Sequence, residues 1–399
     1  MDVDAGRPDD RVVDAGDAGA DPDGGARDGG WLPAVVAPAL ARLPALVICE
    51  PLAQPFVAQV EGTADATTFH RCATRCPDWR RCTRETTARG VAQLELDFVV
   101  DEDGQGHGFG GTLRFTKAGS RARIVFFHRG GSGTDWVDDF IPGRVEQAGG
   151  VALQPRWVQA GPGWFSRPHA ASRLEHSLFG VSQRTAAVMK WVALELAEGP
   201  LSTFGCSGGS IATYYPRHWH GLDPILRYQL LMGGPVMSKI EAGCRGGAPF
   251  VGRCTRAPAT GCQTNADCGA QGGTCSPFEW SGGVVMTAVR ATIDHLHANA
   301  VGGANDCTRR RPQPAFGISD FDSPARPFDL DHEHPIDFVM NAGGLPTSDD
   351  GLNVLASGAA IAASLRGPTK WLVTPSGEHC DALTAESTWD LLRAGAGLP

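Results

Sequence analysis

The chain has no long apolar run. Nowhere do apolar residues continue for 18 positions, and the longest candidate, Leu32 to Ile48, is broken by Pro33, Pro38, Arg42 and Pro44. A membrane-spanning helix is excluded on that ground. An excess of basic charge is also missing. The formal net charge is −9, whereas a surface that grips phosphates is usually basic, so a nucleic-acid partner is not expected. No CxxC pair occurs among the 12 cysteines, so the usual spacing of a tetrahedral zinc site is absent, and neither a metal nor an organic cofactor is expected. No repeat period is visible. No export signal is visible either, because Met1 is followed at once by acidic residues.

What is present points to an oxidising compartment. Twelve cysteines in 399 residues are many for a cytosolic enzyme, and disulfides explain them better than metal binding. We therefore expect a secreted, cell-surface or periplasmic bacterial protein whose export segment is not part of this sequence. Residues 1–30 are almost entirely Asp, Gly, Ala, Arg and Pro and have too little apolar surface to fold. They resemble the acidic spacers that tether exported bacterial lipoproteins.

The rest divides by pattern. Ala92–Val100 and Gly111–Phe115 read as an antiparallel strand pair, after a loop-like cysteine cluster at 72–82. From Ala122–Phe127 onward, short apolar strands alternate with helical stretches. The strands are Leu201–Phe204, Tyr228–Met232, Ile336–Met340 and Lys370–Thr374. The helices are Leu174–Glu198, a stretch from Ser207 to Tyr215, and Val354–Leu365. This alternation predicts an α/β fold with a mostly parallel sheet covered by helices on both faces. Residues 238–315 interrupt it with a cysteine-rich stretch and a helix at Val284–Ala300. The expected organisation is a spacer at 1–30, a core at 31–237, an insertion at 238–315 acting as lid or binding cap, and the rest of the core at 316–399.

Three segments carry chemistry. Gly205-Cys206-Ser207-Gly208-Gly209 matches G-x-S-x-G between a strand and a helix. That context suits a serine on a strained turn whose flanking positions have no room for side chains. His128-Arg129-Gly130-Gly131-Ser132-Gly133 follows strand 122–127. It resembles the HGGG-type loop of lipases and esterases, which implies that backbone N–H groups of Gly130 or Gly131 join that of Gly208 to stabilise an oxyanion. Gly377-Glu378-His379-Cys380 follows the last strand, the position of the catalytic histidine in the architecture that the G-x-S-x-G turn resembles, which implies His379 as general base. An acid is expected after strand 336–340, where Asp349 and Asp350 stand together. The aspartate not used would cap the following helix.

The order Ser207, then Asp, then His379 resembles that of the α/β-hydrolase superfamily, over roughly residues 90–236 and 335–399. The resemblance implies a serine hydrolase of ester, thioester or amide bonds working through an acyl-enzyme. In that family a hydrophobic residue commonly follows the acid by two positions, as Leu352 follows Asp350, so Asp350 is preferred and Asp349 is the alternative. The 128–133 segment resembles the family's HGGG-type loop, with Arg129 replacing a glycine. The GCSGG run and His379-Cys380 also resemble pectin acetylesterases. Secreted polyester depolymerases and feruloyl esterases fit comparably well. An ester, small or polymeric, is the expected partner, with Arg129 and Trp136 as candidate substrate contacts. A peptidase or lactonase would share the same triad. A rival reading is a non-catalytic binding protein on the same scaffold.

Other polar clusters have blander readings. The run Asp329, Asp331, His332, Glu333, His334 and Asp337 reads as a solvated acidic loop rather than a metal site. His218 and His220 read as polar residues at a helix end. Cys206 reads as a small buried residue or a disulfide partner, and Cys380 as a tie that stiffens the loop carrying His379.

Overall fold

A computed structural model describes residues 31–51, 56–60, 68–88, 90–130, 133–134, 140–158, 164, 166, 168, 171–175, 178–233, 252–254, 256–262, 265–271, 273–277, 331–341, 365–374, 380 and 385–399. In chain order the elements begin with helix α1 (Ala37–Arg42) and strands β1 (Leu46–Cys49), β2 (Phe56–Val60), β3 (Thr68–Cys72), β4 (Arg84–Ala88), β5 (Val91–Val100), β6 (His107–Gly108), β7 (Gly110–Thr116) and β8 (Ser120–His128). Next come α2 (Phe140–Gln147), β9 (Gly150–Trp157), α3 (Leu178–Trp191), β10 (Leu201–Cys206), α4 (Gly208–His220) and β11 (Leu226–Met232). The last are β12 (Gly252–Cys254), β13 (Ala257–Cys262), β14 (Cys275–Pro277), β15 (Ile336–Asn341), β16 (Thr369–Thr374) and α5 (Glu386–Gly395).

Ten strands form one sheet in the order β1-β5-β7-β9-β8-β10-β11-β15-β16, with β4 also paired to β5. Pairs from β1 to β9 are antiparallel, and those from β9 to β16 are parallel. The central strands are buried on both faces, which explains their continuous apolar runs. Alternate residues still sort to opposite sides, as a pleated strand requires. On β8, Ile124 and Phe126 join the core beneath α3 and α4, while Val125 and Phe127 pack with Ile141 and Val145 of α2. Phe338 and Val339 of β15 divide in the same way, and Trp389 and Leu392 of α5 complete the second core.

The expected strands are all found, each extended by a residue or more. The helix expected over 174–198 is helical from Leu178 to Trp191 and continues as one wide turn over Val192–Leu196 before Gly199-Pro200. Helices expected at Val284–Ala300 and Val354–Leu365, and residues 1–30, lie outside the described residues. β9 is an addition: its GVALQPRW sequence contains Pro155 and alternates weakly, yet it joins the antiparallel and parallel halves of the sheet. The cysteine cluster at 72–82 is more ordered than a loop. Cys72 ends β3 and bonds Cys49, and Cys76 bonds Cys82. Within the expected insertion, β12, β13 and β14 form a small antiparallel sheet of their own. Among the described residues no helix is long and apolar enough to cross a membrane.

Two charged networks are buried. Arg184 on α3 bonds Glu102 through Nε at 2.6 Å, donates to the carbonyls of Trp164 and Ser166, and lies over the Phe109 ring. Arg184 and Glu102 are each only 1% exposed. At the other end of the sheet, Arg217 pairs with Asp223 at 2.5 Å and donates to the carbonyl of His334. This second network corrects the solvated-loop expectation for 329–337. His332 is buried against Arg217, and Asp337 is buried and accepts from the Tyr228 hydroxyl at 2.8 Å. Asp331, in an exposed pair with Arg366, and Glu333 are exposed as expected, while Asp329 lies outside the described residues. Among the described residues no group of His, Cys, Asp and Glu is arranged to hold a metal.

Removing one partner of a buried pair leaves an uncompensated charge and costs about 3–5 kcal/mol. We therefore expect Glu102→Ala to lower unfolding stability in urea by about that much, because Arg184 cannot reach water. The exposed Asp331→Ala should change it by less than about 1 kcal/mol.

Candidate active site

β10 lies between β8 and β11, and all six of its residues are buried. It ends at Cys206, and α4 begins at Gly208. Ser207 makes the turn between them with φ 55° and ψ −127°, outside the regions an L-residue normally occupies. Such a conformation costs of order 1–3 kcal/mol and persists only where its surroundings over-determine it. Here they do. The Ser207 N–H donates to the Met232 carbonyl at the end of β11 (3.0 Å). The Ser207 carbonyl accepts from the N–H and the hydroxyl of Ser210 (2.9 and 2.6 Å).

The flanking glycines are required by close backbone approach. A Cβ on Gly205 would sit 2.2 Å from the Gly209 carbonyl oxygen, and one on Gly209 would sit 2.0 Å from that of His128. Gly130 stands directly over the serine: a Cβ there would lie 3.0 Å from the Ser207 Cβ and 3.7 Å from its Oγ. The expected oxyanion loop and the expected nucleophile are therefore in contact. Gly208 opens α4, whose first-turn N–H groups have no partners within the helix. Arg129 is exposed beside this site. Gly131, Trp136, Asp349, Asp350 and His379 lie outside the described residues.

Cys380, which follows His379 in the sequence, is described. It is bonded to Cys206, the residue before Ser207, with 6.0 Å between their Cα atoms. Cys380 also has a positive φ, 65°, and it and Ser207 are the two non-glycine residues in that region among those described. Both strained residues thus meet at one point of the molecule. The sequence offered each cysteine as a bonded residue but did not pair them.

Sequence reading missed the support beneath the loop. The His128 ring is buried, and its Nε2 is 3.0 Å from the indole Nε1 of Trp157. An indole nitrogen can only donate, so Nε2 is an acceptor, and Nδ1 carries the proton and donates to the Arg129 carbonyl at 2.9 Å. Burial pushes this imidazole down to about 4, in keeping with a neutral ring. Trp164, whose ring meets that of His128 edge-on, is likewise buried, so both tryptophans serve the core rather than an open pocket.

His218 and His220 are buried along α4 rather than placed at the site. His220 bonds the Ser182 hydroxyl at 2.7 Å, and the His218 ring packs at a tilt against that of Tyr214. A cavity of about 910 Å3 lies at the opposite end of the sheet, where Arg42, Arg227 and Arg366 face Asp331 and Glu333. It touches none of the site residues.

No protein-family model and no curated sequence matches the chain. Among solved structures, the acetyl xylan esterase 1 of Thermoanaerobacterium sp. JW/SL YS485 is similar over 90% of this chain and 91% of its own, at 9% identity and a TM-score of 0.45. The carboxylesterase EstE1 from a metagenomic library is similar over 79% and 89%, at 13% identity and 0.43. Est1E from Butyrivibrio proteoclasticus is similar over 79% and 96%, at 12% identity and 0.37.

Three buried histidines share a sign. Burial lowers His128 and His70 to about 4 and His220 to about 3. Each stays neutral in the fold while its unfolded counterpart, near 6.5, takes up a proton. Their contribution to stability is therefore complete above pH 6.5 and is lost as the pH falls toward 4. Unfolding in urea at pH 7, 6 and 5 should show stability falling by up to about 4 kcal/mol per pH unit, the slope for three protons. Flat stability across that range would mean that these rings are already charged in the fold.

The strand order, the helices on both faces and the serine on a strained strand-to-helix turn together establish that the chain has the α/β-hydrolase fold.

Proposed function

We propose that the protein is an exported serine hydrolase of carboxylic esters. The observation that carries this reading is the contact between Ser207 on its strained turn and Gly130 of the neighbouring loop. A serine held this way presents its hydroxyl at the C-terminal edge of a parallel sheet, which is where such folds bind ligands. Export is supported by the disulfides, which persist in oxidising compartments.

In this reading Ser207 Oγ attacks the ester carbonyl while His379 accepts its proton. Asp350, or Asp349 in its place, orients the imidazole. The N–H groups of Gly208 and of the loop at Gly130 and Gly131 bind the oxyanion. The C–O bond to the alcohol breaks as His379 returns the proton to it. Water then repeats the sequence on the acyl-enzyme and frees the acid. The Cys206–Cys380 bond supports the assignment of His379, because it ties the residue next to the proposed base to the residue next to the nucleophile. Arg129 and Trp136 are the proposed substrate contacts. The segment 238–315 is proposed as a cap, and a polymeric ester such as a polyester or plant-polysaccharide ester is the substrate class to try first.

The test is covalent. A fluorophosphonate probe should label the protein, short p-nitrophenyl esters should turn over, and Ser207→Ala should abolish labelling and lower kcat by roughly a millionfold. A folded, disulfide-bonded protein that neither labels nor turns over ester would favour the non-catalytic binding reading.

The disulfide generates a separate expectation. Displacing a reacting group by about 1 Å costs on the order of 100-fold in rate. The pair Cys206→Ala/Cys380→Ala should therefore lower kcat by about that factor with KM little changed. Cys49→Ala/Cys72→Ala should leave kcat near the parent value, because that bond joins β1 to β3. Steady-state kinetics well below each variant's Tm separate the two.

A further inference from the structure

The loop carrying Gly130 is held from below by two buried side chains. Trp157, at the end of β9, donates through its indole to His128 and through its backbone N–H to the Gly133 carbonyl at 2.9 Å. Gly133 has φ 67° and sits so close over both rings that a Cβ there would be 2.6 Å from His128 Cε1 and 2.9 Å from Trp157 Cδ1. The Gly133 N–H returns to the Gly130 carbonyl at 3.4 Å and closes the turn. One tryptophan therefore grips the first and last residues of the loop.

The imidazole fixes more than position. Its Nδ1–H holds the Arg129 carbonyl on the His128 side. In a planar trans peptide the carbonyl and the following N–H point in opposite directions. Holding the Arg129 oxygen against His128 therefore turns the Gly130 N–H away from the ring. Gly130 itself stands over Ser207. We propose that His128 and Trp157 are positioning residues that set the plane of the Arg129–Gly130 peptide, so that Gly130 supplies an oxyanion N–H from this loop. This inference rests on Ser207 being the nucleophile and goes beyond it by naming a donor on this loop and what aims it.

Three variants test it, each checked for Tm and for the Cys206–Cys380 bond. His128→Phe keeps a ring and loses both hydrogen bonds. It should lower kcat on p-nitrophenyl acetate by about 100-fold or more, the cost of one oxyanion donor, with KM within about twofold. His128→Asn keeps a donor at the Nδ1 position and should recover most of that loss. Trp157→Phe removes the indole N–H together with part of the ring and should lower kcat about tenfold. The proposal is overturned if kcat is unchanged in folded His128→Phe and Trp157→Phe proteins, if Asn rescues no better than Phe, or if KM carries the loss. Should the parent protein fail to react with the fluorophosphonate, the nucleophile assignment falls and takes this inference with it. A parent that reacts, with variants that react as fast, removes this inference alone.

Discussion

The site depends on one constraint: three stretches of backbone approach more closely than side chains would allow. The carbonyl of His128 at the end of β8, the first turn of α4 and the end of β10 converge at Gly205, Gly209 and Gly130. With any Cβ at Gly209, α4 would have to withdraw from β8, and Ser207 would lose the turn that exposes it. The strain at Ser207 is therefore a consequence of packing the helix start against the sheet. It is offset by the hydrogen bonds from Ser207 to Met232 and from Ser210 to Ser207, and by the deeply buried strands on either side.

This explains which parts of the site were legible in the sequence. Gly205, Ser207 and Gly209 could be read because their spacing is dictated by that local approach, and no distant residue is needed to specify it. Strands β8, β10, β11 and β15 could be read because a strand buried on both faces is apolar along most of its length. The pairing of Cys206 with Cys380 could not be read, since it spans 174 residues and depends on where the last strand ends. β9 was illegible for a related reason. It pairs antiparallel with β7 on one edge and parallel with β8 on the other, and Pro155 and Gln154 blur its pattern.

The buried charges show the opposite failure. The polarity of residues 331–337 reads as solvation because sequence cannot reveal a partner from elsewhere in the chain. That partner is Arg217, which sits on α4 and is held by Asp223 just before β11. With the guanidinium fixed there, the His334 carbonyl accepts from Arg217 and from His332 Nδ1 beneath the protein surface. A charged residue on a helix is usually a solvated one, so Arg217 gives no local signal of its role.

The two ends of α4 are consequently built on different physics. Its first turn is short of hydrogen-bond acceptors and crowded by glycine contacts, and its N–H groups face the serine turn. Its last turn is anchored by the Arg217–Asp223 pair and by Gly221, whose φ of 68° ends the helix in the left-handed region. A helix pinned at its far end by a buried guanidinium held in an ion pair has little freedom to relax the strained end by sliding along its axis. The rigidity that keeps Ser207 in an unfavourable conformation is in this way supplied at the opposite edge of the sheet, by residues that take no part in the proposed chemistry.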